Sequence, residues 1–290
     1  MIYDCFTFFN ELEILEIRLN ILNNYVDKFV LVEATKNHQG KPKPLYFEEN
    51  KSKFLPFENK IIHIIVDDMP IFNGNNSWEL EHHQRNNIVK GLINCNPNDI
   101  IIISDVDEIP ELKNISFNDS LTNQIYIFRQ KMFYYFLNCI NVSNNENYKW
   151  HGTVMTKFSK LIKPQELRNL SIKMQALYSH KWYHKWYAKS IKLSQKIFNQ
   201  TSIKFVEDGG WHFSYLGGID KIIQKLEAFA HTEYNKEEFK DPDKLSQIIN
   251  SGKDIFNRNF NYKFIPIDDT FPEYIQKNFN KYPNLIKLNI

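Results

Sequence analysis

Two carboxylates separated by one apolar residue, Asp105-Val106-Asp107, stand directly after the run Ile100-Ile101-Ile102-Ile103-Ser104 and before Glu108-Ile109-Pro110. Acidic residues at alternate positions leaving a strand can both turn toward one hard divalent cation. A phosphate-bearing donor would share that ion, which would neutralise charge building on a leaving diphosphate. Spacing alone does not carry this reading, because Asp-x-Asp arises by chance about once in a chain of this size. The chain contains its own control. Asp241-Pro242-Asp243 has the same spacing, but it lies between polar segments with no strand before it and reads as a solvated helix start. Four consecutive isoleucines, by contrast, suit a central strand covered on both faces, and ligands of open α/β sheets bind beyond the carboxyl ends of such strands.

A second stretch with chemical potential is Glu207-Asp208-Gly209-Gly210-Trp211-His212-Phe213-Ser214, which runs on to Gly217-Gly218. Paired glycines let backbone pass close to a ligand, and Trp211 offers a flat face to a sugar ring. His212 has the chemistry to complete a metal site or bond a diphosphate oxygen. Asp208 and Glu207 are acids that could serve as base. A third is the duplication His180-Lys181-Trp182-Tyr183, His184-Lys185-Trp186-Tyr187, with Lys189, Lys192 and Lys196 nearby. Trp182 and Trp186 read as a sugar-stacking acceptor platform, as an interfacial membrane patch, or as a strand or helix start packed on the core. The glycine-rich phosphate loops, the zincin helix and the hydrolase elbow are all absent from the sequence.

Elements that would position these residues follow from periodicity. Tyr3 to Phe9, Lys28 to Ala34 and Lys60 to Val66 read as strands. Asn10 is placed to cap a helix through Leu12, Leu15, Leu19 and Leu22, and Trp78 to Cys95 reads as another helix. That alternation predicts a mostly parallel sheet layered with helices. In the second half, Gln124 to Phe136, Thr153 to Phe158 and Ile203 to Val206 read as strands. Ile191 to Phe198 reads as a helix, and Gly217-Gly218 opens one more. No low-complexity linker interrupts the chain, so one domain over 1–290 is expected, with a first half (1–112), a second half (113–235) and a C-terminal extension (236–290) broken by prolines.

Composition narrows the partners. Thirty-six Lys and Arg against 34 Asp and Glu leave a net charge of +2, which gives no electrostatic case for nucleic acid. No apolar run approaches the roughly 20 residues of a bilayer span, and no transmembrane segment is expected. Met1-Ile2-Tyr3-Asp4 carries no basic leader, and Cys5, Cys95 and Cys139 are odd in number and far apart. A cytoplasmic chain with reduced thiols is the expectation.

The sequence resembles glycosyltransferase family 17, the β-1,4-N-acetylglucosaminyltransferase III-like enzymes. The resemblance runs through Asp4-Cys5-Phe6-Thr7-Phe8-Phe9-Asn10-Glu11-Leu12, Leu15-Glu16-Ile17-Arg18-Leu19 and Val26-Asp27-Lys28-Phe29-Val30-Leu31-Val32-Glu33-Ala34-Thr35. Gly40-Lys41-Pro42-Lys43-Pro44-Leu45, Gln84-Arg85-Asn86, Ser104 to Pro110 and Gly210-Trp211-His212-Phe213-Ser214 complete it. It implies a nucleotide-sugar transferase fold of the GT-A type, with one Rossmann-like sheet. It implies inverting transfer of N-acetylglucosamine from UDP-GlcNAc to a hydroxyl of a glycan acceptor, β-1,4-linked, with Mn²⁺ as the ion and Mg²⁺ as its substitute. By position, Asp107 would face the metal, Asp105 the ribose or metal, and His212 the ion or diphosphate. Phe6, Thr7, Phe8, Glu11 and Glu33 would flank the uridine. Arg85, Val106 and Trp211 would complete the donor site. Inversion needs a base; Asp208 is the first candidate and Glu108 the second. Transfer from another UDP-hexose and a non-catalytic carbohydrate-binding role stand as alternatives.

Overall fold

The computed structural model describes residues 1–117, 124–143, 149–178, 182–198 and 201–287. Strands β1 (Ile2–Phe8), β2 (Lys28–Ala34), β3 (Ile61–Val66) and β4 (Ile100–Asp105) pair in parallel in the order β3-β2-β1-β4. Helices α1 (Leu12–Leu22), α2 (Tyr46–Glu49) and α3 (Ser77–Asn86) lie in the connections, which parallel pairing requires. The isoleucine strand is central, as its composition demands. Ile100 and Ile102 join the core beneath α1, whereas Ile101 and Ile103 join a second core on the α3 side. Neither side of the strand meets water over residues 100–103, so all four of those positions can be apolar.

After β4 the chain changes habit. Strands β5 (Glu108–Pro110), β6 (Gln124–Tyr134), β7 (Cys139–Asn141), β8 (Lys149–Lys157), β9 (Ser202–Val206), β10 (Gly210–Ser214) and β11 (Tyr262–Phe264) extend the same sheet. Here β8 runs antiparallel to both β4 and β6, β7 to β6 and β11, and β5 to β10. Only β9 and β10 pair parallel with β6. The expectation of a mostly parallel sheet is therefore corrected: among the described residues the sheet is mixed. The reason is local. Short turns such as Tyr135–Asn138 bring the strand back beside itself, and a return without a crossover can pair only antiparallel.

Helices α4 (Pro164–Gln175), α5 (Trp182–Phe198), α6 (Ile219–Ala228), α7 (Pro242–Asn250) and α8 (Glu273–Asn278) complete the layers. Helix α4 has no counterpart in the sequence reading, and α5 starts earlier than expected, taking in Trp182 to Tyr187. His180 and Lys181 of the duplication lie outside the described residues. Asn10 does not cap α1; its amide donates to Gln224, while Glu11 accepts from the backbone N–H of Phe9 and Asn10. Asp241 does cap α7, accepting from the N–H of Asp243 and Lys244, as the solvated helix start requires. The paired glycines before Trp211 serve strand packing rather than a ligand. Gly210 has a φ of +119°, and a Cβ there would stand 2.2 Å from the Ile109 carbonyl.

His151, on β8, is buried with its ring against Phe205, and burial first, then Arg129, pulls its pKa down from 6.5 to about 3. The unfolded chain therefore takes up a proton below pH 6.5 that the folded chain refuses, so stability falls as pH drops from about 6.5 toward 3. The unfolding free energy from urea denaturation should fall more between pH 7 and pH 5 for the wild type than for His151→Phe, by about 1–2 kcal/mol. Equal pH slopes would contradict this assignment.

Candidate functional site

The acidic turn is built from below by one guanidinium. Arg18, wholly buried on α1, pairs with Asp4 through Nε (2.8 Å) and Nη2 (2.6 Å). Nη2 also donates to the Ser104 hydroxyl at 2.6 Å, and Nη1 to the carbonyls of Asp105, Val106 and Glu108 at 3.1, 3.3 and 2.8 Å. Backbone carbonyls that a tight turn leaves without partners are thus satisfied from inside the core. The side chains of the turn are left to point the other way, toward a cavity of about 420 Å³.

Each acid of the turn has a different fate. Asp105 Oδ1 accepts from Thr7 (3.1 Å) and Arg85 (2.8 Å), and Oδ2 lies 3.5 Å from Arg168. Burial alone would raise its pKa, but the Arg85 and Arg168 guanidinium groups outweigh that and hold it far below the usual carboxylate range. Glu108 is fully buried. It accepts from Trp150 Nε1 at 2.6 Å, from Arg168, and from the Asp105 N–H at 3.1 Å. Asp107 Oδ2 accepts from Lys225 at 3.0 Å, while Oδ1 faces His212 Nε2 at 3.8 Å, beyond hydrogen-bond reach. Burial opposes charge on Lys225, yet the Asp107 carboxylate outweighs it and raises the lysine's pKa.

Strand alternation sorts β10. His212 and Ser214 line the cavity, whereas Trp211 and Phe213 face the core, and Trp211 Nε1 donates to the Thr270 carbonyl at 3.1 Å. Trp211 is therefore not placed to stack on a sugar. Of the other expected donor residues, Thr7, Phe8, Glu11, Arg85 and Val106 line the cavity. Phe6 is buried under the Arg18 guanidinium, 4.6 Å from its ring centre. Glu33 is buried away from the cavity, taken up by the Phe47 N–H, Lys43 and His63. Asp208 also lies outside. It is exposed and paired with Lys149 at 2.6 Å, a contact that lowers its pKa. Trp182 and Trp186 project from α5 into solvent and do not touch the cavity.

Several cavity residues were missed by the sequence reading. Arg168 and Lys225 sit on helical faces otherwise rich in Leu, Ile and Met, and a cation in such a stripe is the signal that was there to find. Trp78, Trp150, Tyr134 and Tyr215 supply aromatic walls, and His231 stands edge-on to Trp78 at 4.6 Å with its Nδ1 2.6 Å from Glu233. Six basic side chains on the wall face five carboxylates, so the cavity's own charge is nearly balanced.

Does this donor set suit a divalent ion? Among the described residues no group of three or more His, Cys, Asp and Glu side chains is arranged for one. Asp107 Oδ1 and His212 Nε2 nevertheless form an oxygen–nitrogen pair with an open gap, and the buried His212 Nδ1 has no hydrogen-bond partner. Magnesium and similar ions are often held by one or two carboxylates, with substrate phosphates completing the shell. Asp107 supplies one such carboxylate, with the His212 imidazole, a ligand for transition metals, beside it; Asp105, already bonded by Thr7 and Arg85, is committed to those partners.

Comparison with known proteins places this geometry in context. The model of glycosyltransferase family 17 matches residues 1–163, which contain the acidic turn, Arg18 and Arg85. The human protein named beta-1,4-mannosyl-glycoprotein 4-beta-N-acetylglucosaminyltransferase is 30% identical over 114 residues, and its mouse counterpart 29%. Each match covers 37% of this chain and 21% of the relative. His212, Lys225 and His231 lie beyond the family match. Removing Arg18 should expose how much the turn depends on it: Arg18→Met is expected to lose about 3–5 kcal/mol, because it strands Asp4 in the core. The double variant Arg18→Met/Asp4→Leu should recover part of that in urea denaturation; no recovery would mean that the loss comes from the turn's stranded carbonyls and from packing rather than from Asp4.

Proposed function

The chain belongs to glycosyltransferase family 17, and on that premise we propose that it moves N-acetylglucosamine from UDP-GlcNAc to a glycan hydroxyl, with inversion and a β-1,4 linkage. The observation that carries this reading is the acidic turn at the carboxyl end of the central strand, opening onto a cavity walled by aromatics and by Arg85, Arg168 and Lys225. The sheet's parallel half, β1 to β4, supports a GT-A type reading of the fold. The relatives' names supply the sugar and the linkage.

In this account the aromatic walls hold the uracil and the sugar, and Lys225 lies beside the diphosphate. Because the cavity's basic groups are already matched by carboxylates, a diphosphate needs an added cation. Mn²⁺ or Mg²⁺, held by Asp107 and His212, would supply charge neutralisation for the departing UDP. Asp105 stays ionised between Arg85 and Arg168 and fixes both guanidinium groups toward the cavity. For the base, neither Asp208, outside the cavity, nor Glu108, tied by Trp150 and Arg168, is free to take a proton. His231 is better placed. Glu233 accepts from its Nδ1–H, which leaves Nε2 as the basic nitrogen at the cavity wall. Nε2 takes the acceptor proton as the acceptor oxygen attacks the anomeric carbon opposite UDP; the bond to the diphosphate breaks, and UDP leaves with its electron pair.

Thermal shift tests the donor class. UDP and UDP-GlcNAc with Mn²⁺ should each raise Tm by a few degrees at saturating ligand. EDTA or Asp107→Ala should abolish that shift. No shift with any nucleotide would overturn the transferase reading, and a shift with free N-acetylglucosamine alone would favour a non-catalytic binding protein. His231→Gln should retain the donor shift while transfer falls by about 10²–10⁴-fold. Unchanged transfer would remove His231 from the mechanism.

A further inference from the structure

Helix α5 presents a surface that the cavity does not use. Its sequence, WYHKWYAKSIKLSQKIF, contains Lys185, Lys189, Lys192 and Lys196 and no acidic residue, in a chain whose overall charge is only +2. Trp182 is 77% exposed, Trp186 68%, Leu193 57% and Ile197 59%. At 100° per residue these four fall within about 60° of arc, on the side away from the buried Ala188. The four lysines fill the adjoining arc of about 60°, and the half-exposed Tyr183 and Tyr187 flank the stripe on its other edge.

A large apolar stripe facing water is costly unless something covers it. Two tryptophans, two tyrosines and two aliphatics beside a row of lysines match the boundary between headgroups and acyl chains. The geometry points to α5 as a docking helix for an anionic lipid surface, lying in the headgroup plane with its lysines on lipid phosphates. Charge complementarity decides the occupant, since a neutral partner would not need the three exposed cations Lys185, Lys189 and Lys196, each contributing about 1 kcal/mol near an anionic surface; the Lys192 ammonium instead lies over the Phe205 ring. Helix α4, which packs against α5, carries Arg168 and Ile172 on the cavity wall. A membrane seating α5 would thus lie one helix away from the cavity. This inference does not depend on the donor or the chemistry.

Co-sedimentation of the full chain with vesicles tests it, using phosphatidylcholine alone and an equimolar mixture with phosphatidylglycerol. The wild type should pellet with the anionic vesicles, stay free of the neutral ones, and be released as salt rises. Trp182→Ala/Trp186→Ala and Lys185→Glu/Lys189→Glu should each weaken binding at least about tenfold. Both variants should keep the wild-type Tm, because these side chains stand in solvent. Absence of binding, equal binding to both vesicles, or variants that bind like the wild type would overturn the proposal. Two results would assign the face elsewhere and also overturn it: a dimer of the wild type that the tryptophan variant lacks, or quenching of tryptophan fluorescence by a soluble oligosaccharide that this variant lacks.

Discussion

A charge buried in an apolar core is tolerated only when every one of its hydrogen-bonding groups is met, and Arg18 meets that condition in an instructive way. Two of its contacts neutralise it against Asp4; the others go to the Ser104 hydroxyl and to carbonyls of the acidic turn. One side chain therefore couples α1, β1, β4 and the start of β5. A turn of four residues with three acids would otherwise be pulled apart by repulsion among its carboxylates. Fixing its backbone from beneath lets those carboxylates face the cavity in a defined order.

That order divides the work. Asp105 and Glu108 are struts: each is engaged by guanidinium or indole donors, and Arg168 touches both. Asp107 is held more loosely, by Lys225 on one oxygen, with His212 across a gap from the other. Chemistry that needs a displaceable ligand belongs to the loosely held group, and electrostatic scaffolding belongs to the tightly held ones. Asp105 thus resembles a framework charge more than a ligand, although it opens the motif that draws attention in the sequence.

The parallel half of the fold was legible because its signals are local: apolar runs of strand length, separated by helical spacing, with four isoleucines in a row where β4 is covered on both faces. The acidic turn was legible for the same reason, since a strand end can be read from the residues before it. What escaped was non-local. Arg168 and Lys225 reach the cavity from helices about sixty and a hundred and twenty residues beyond the turn, and their neighbours are ordinary amphipathic patterns. Trp211 looked like a sugar platform because its flat indole follows paired glycines, but on a strand adjacent residues face opposite ways, so His212 lines the site and Trp211 does not. The antiparallel half was missed because the turns that reverse it carry no Asn-Gly or Gly-Gly signature; Tyr135 adopts a φ of 68° without being glycine. The exposed tryptophans of α5 were noticed, yet whether they stood on a strand or a helix decided which of them share a face.

On the proposed function, Asp107 and His212, rather than Asp105, hold an ion beside a nucleotide diphosphate. Anomalous diffraction from a crystal soaked with UDP and Mn²⁺ tests this most directly. A manganese peak touching both Asp107 and His212 is the expected result, with the diphosphate beside Lys225 and Asp105 still paired with Arg85. Ordered UDP in the cavity without that peak, or a peak centred on Asp105, would contradict it.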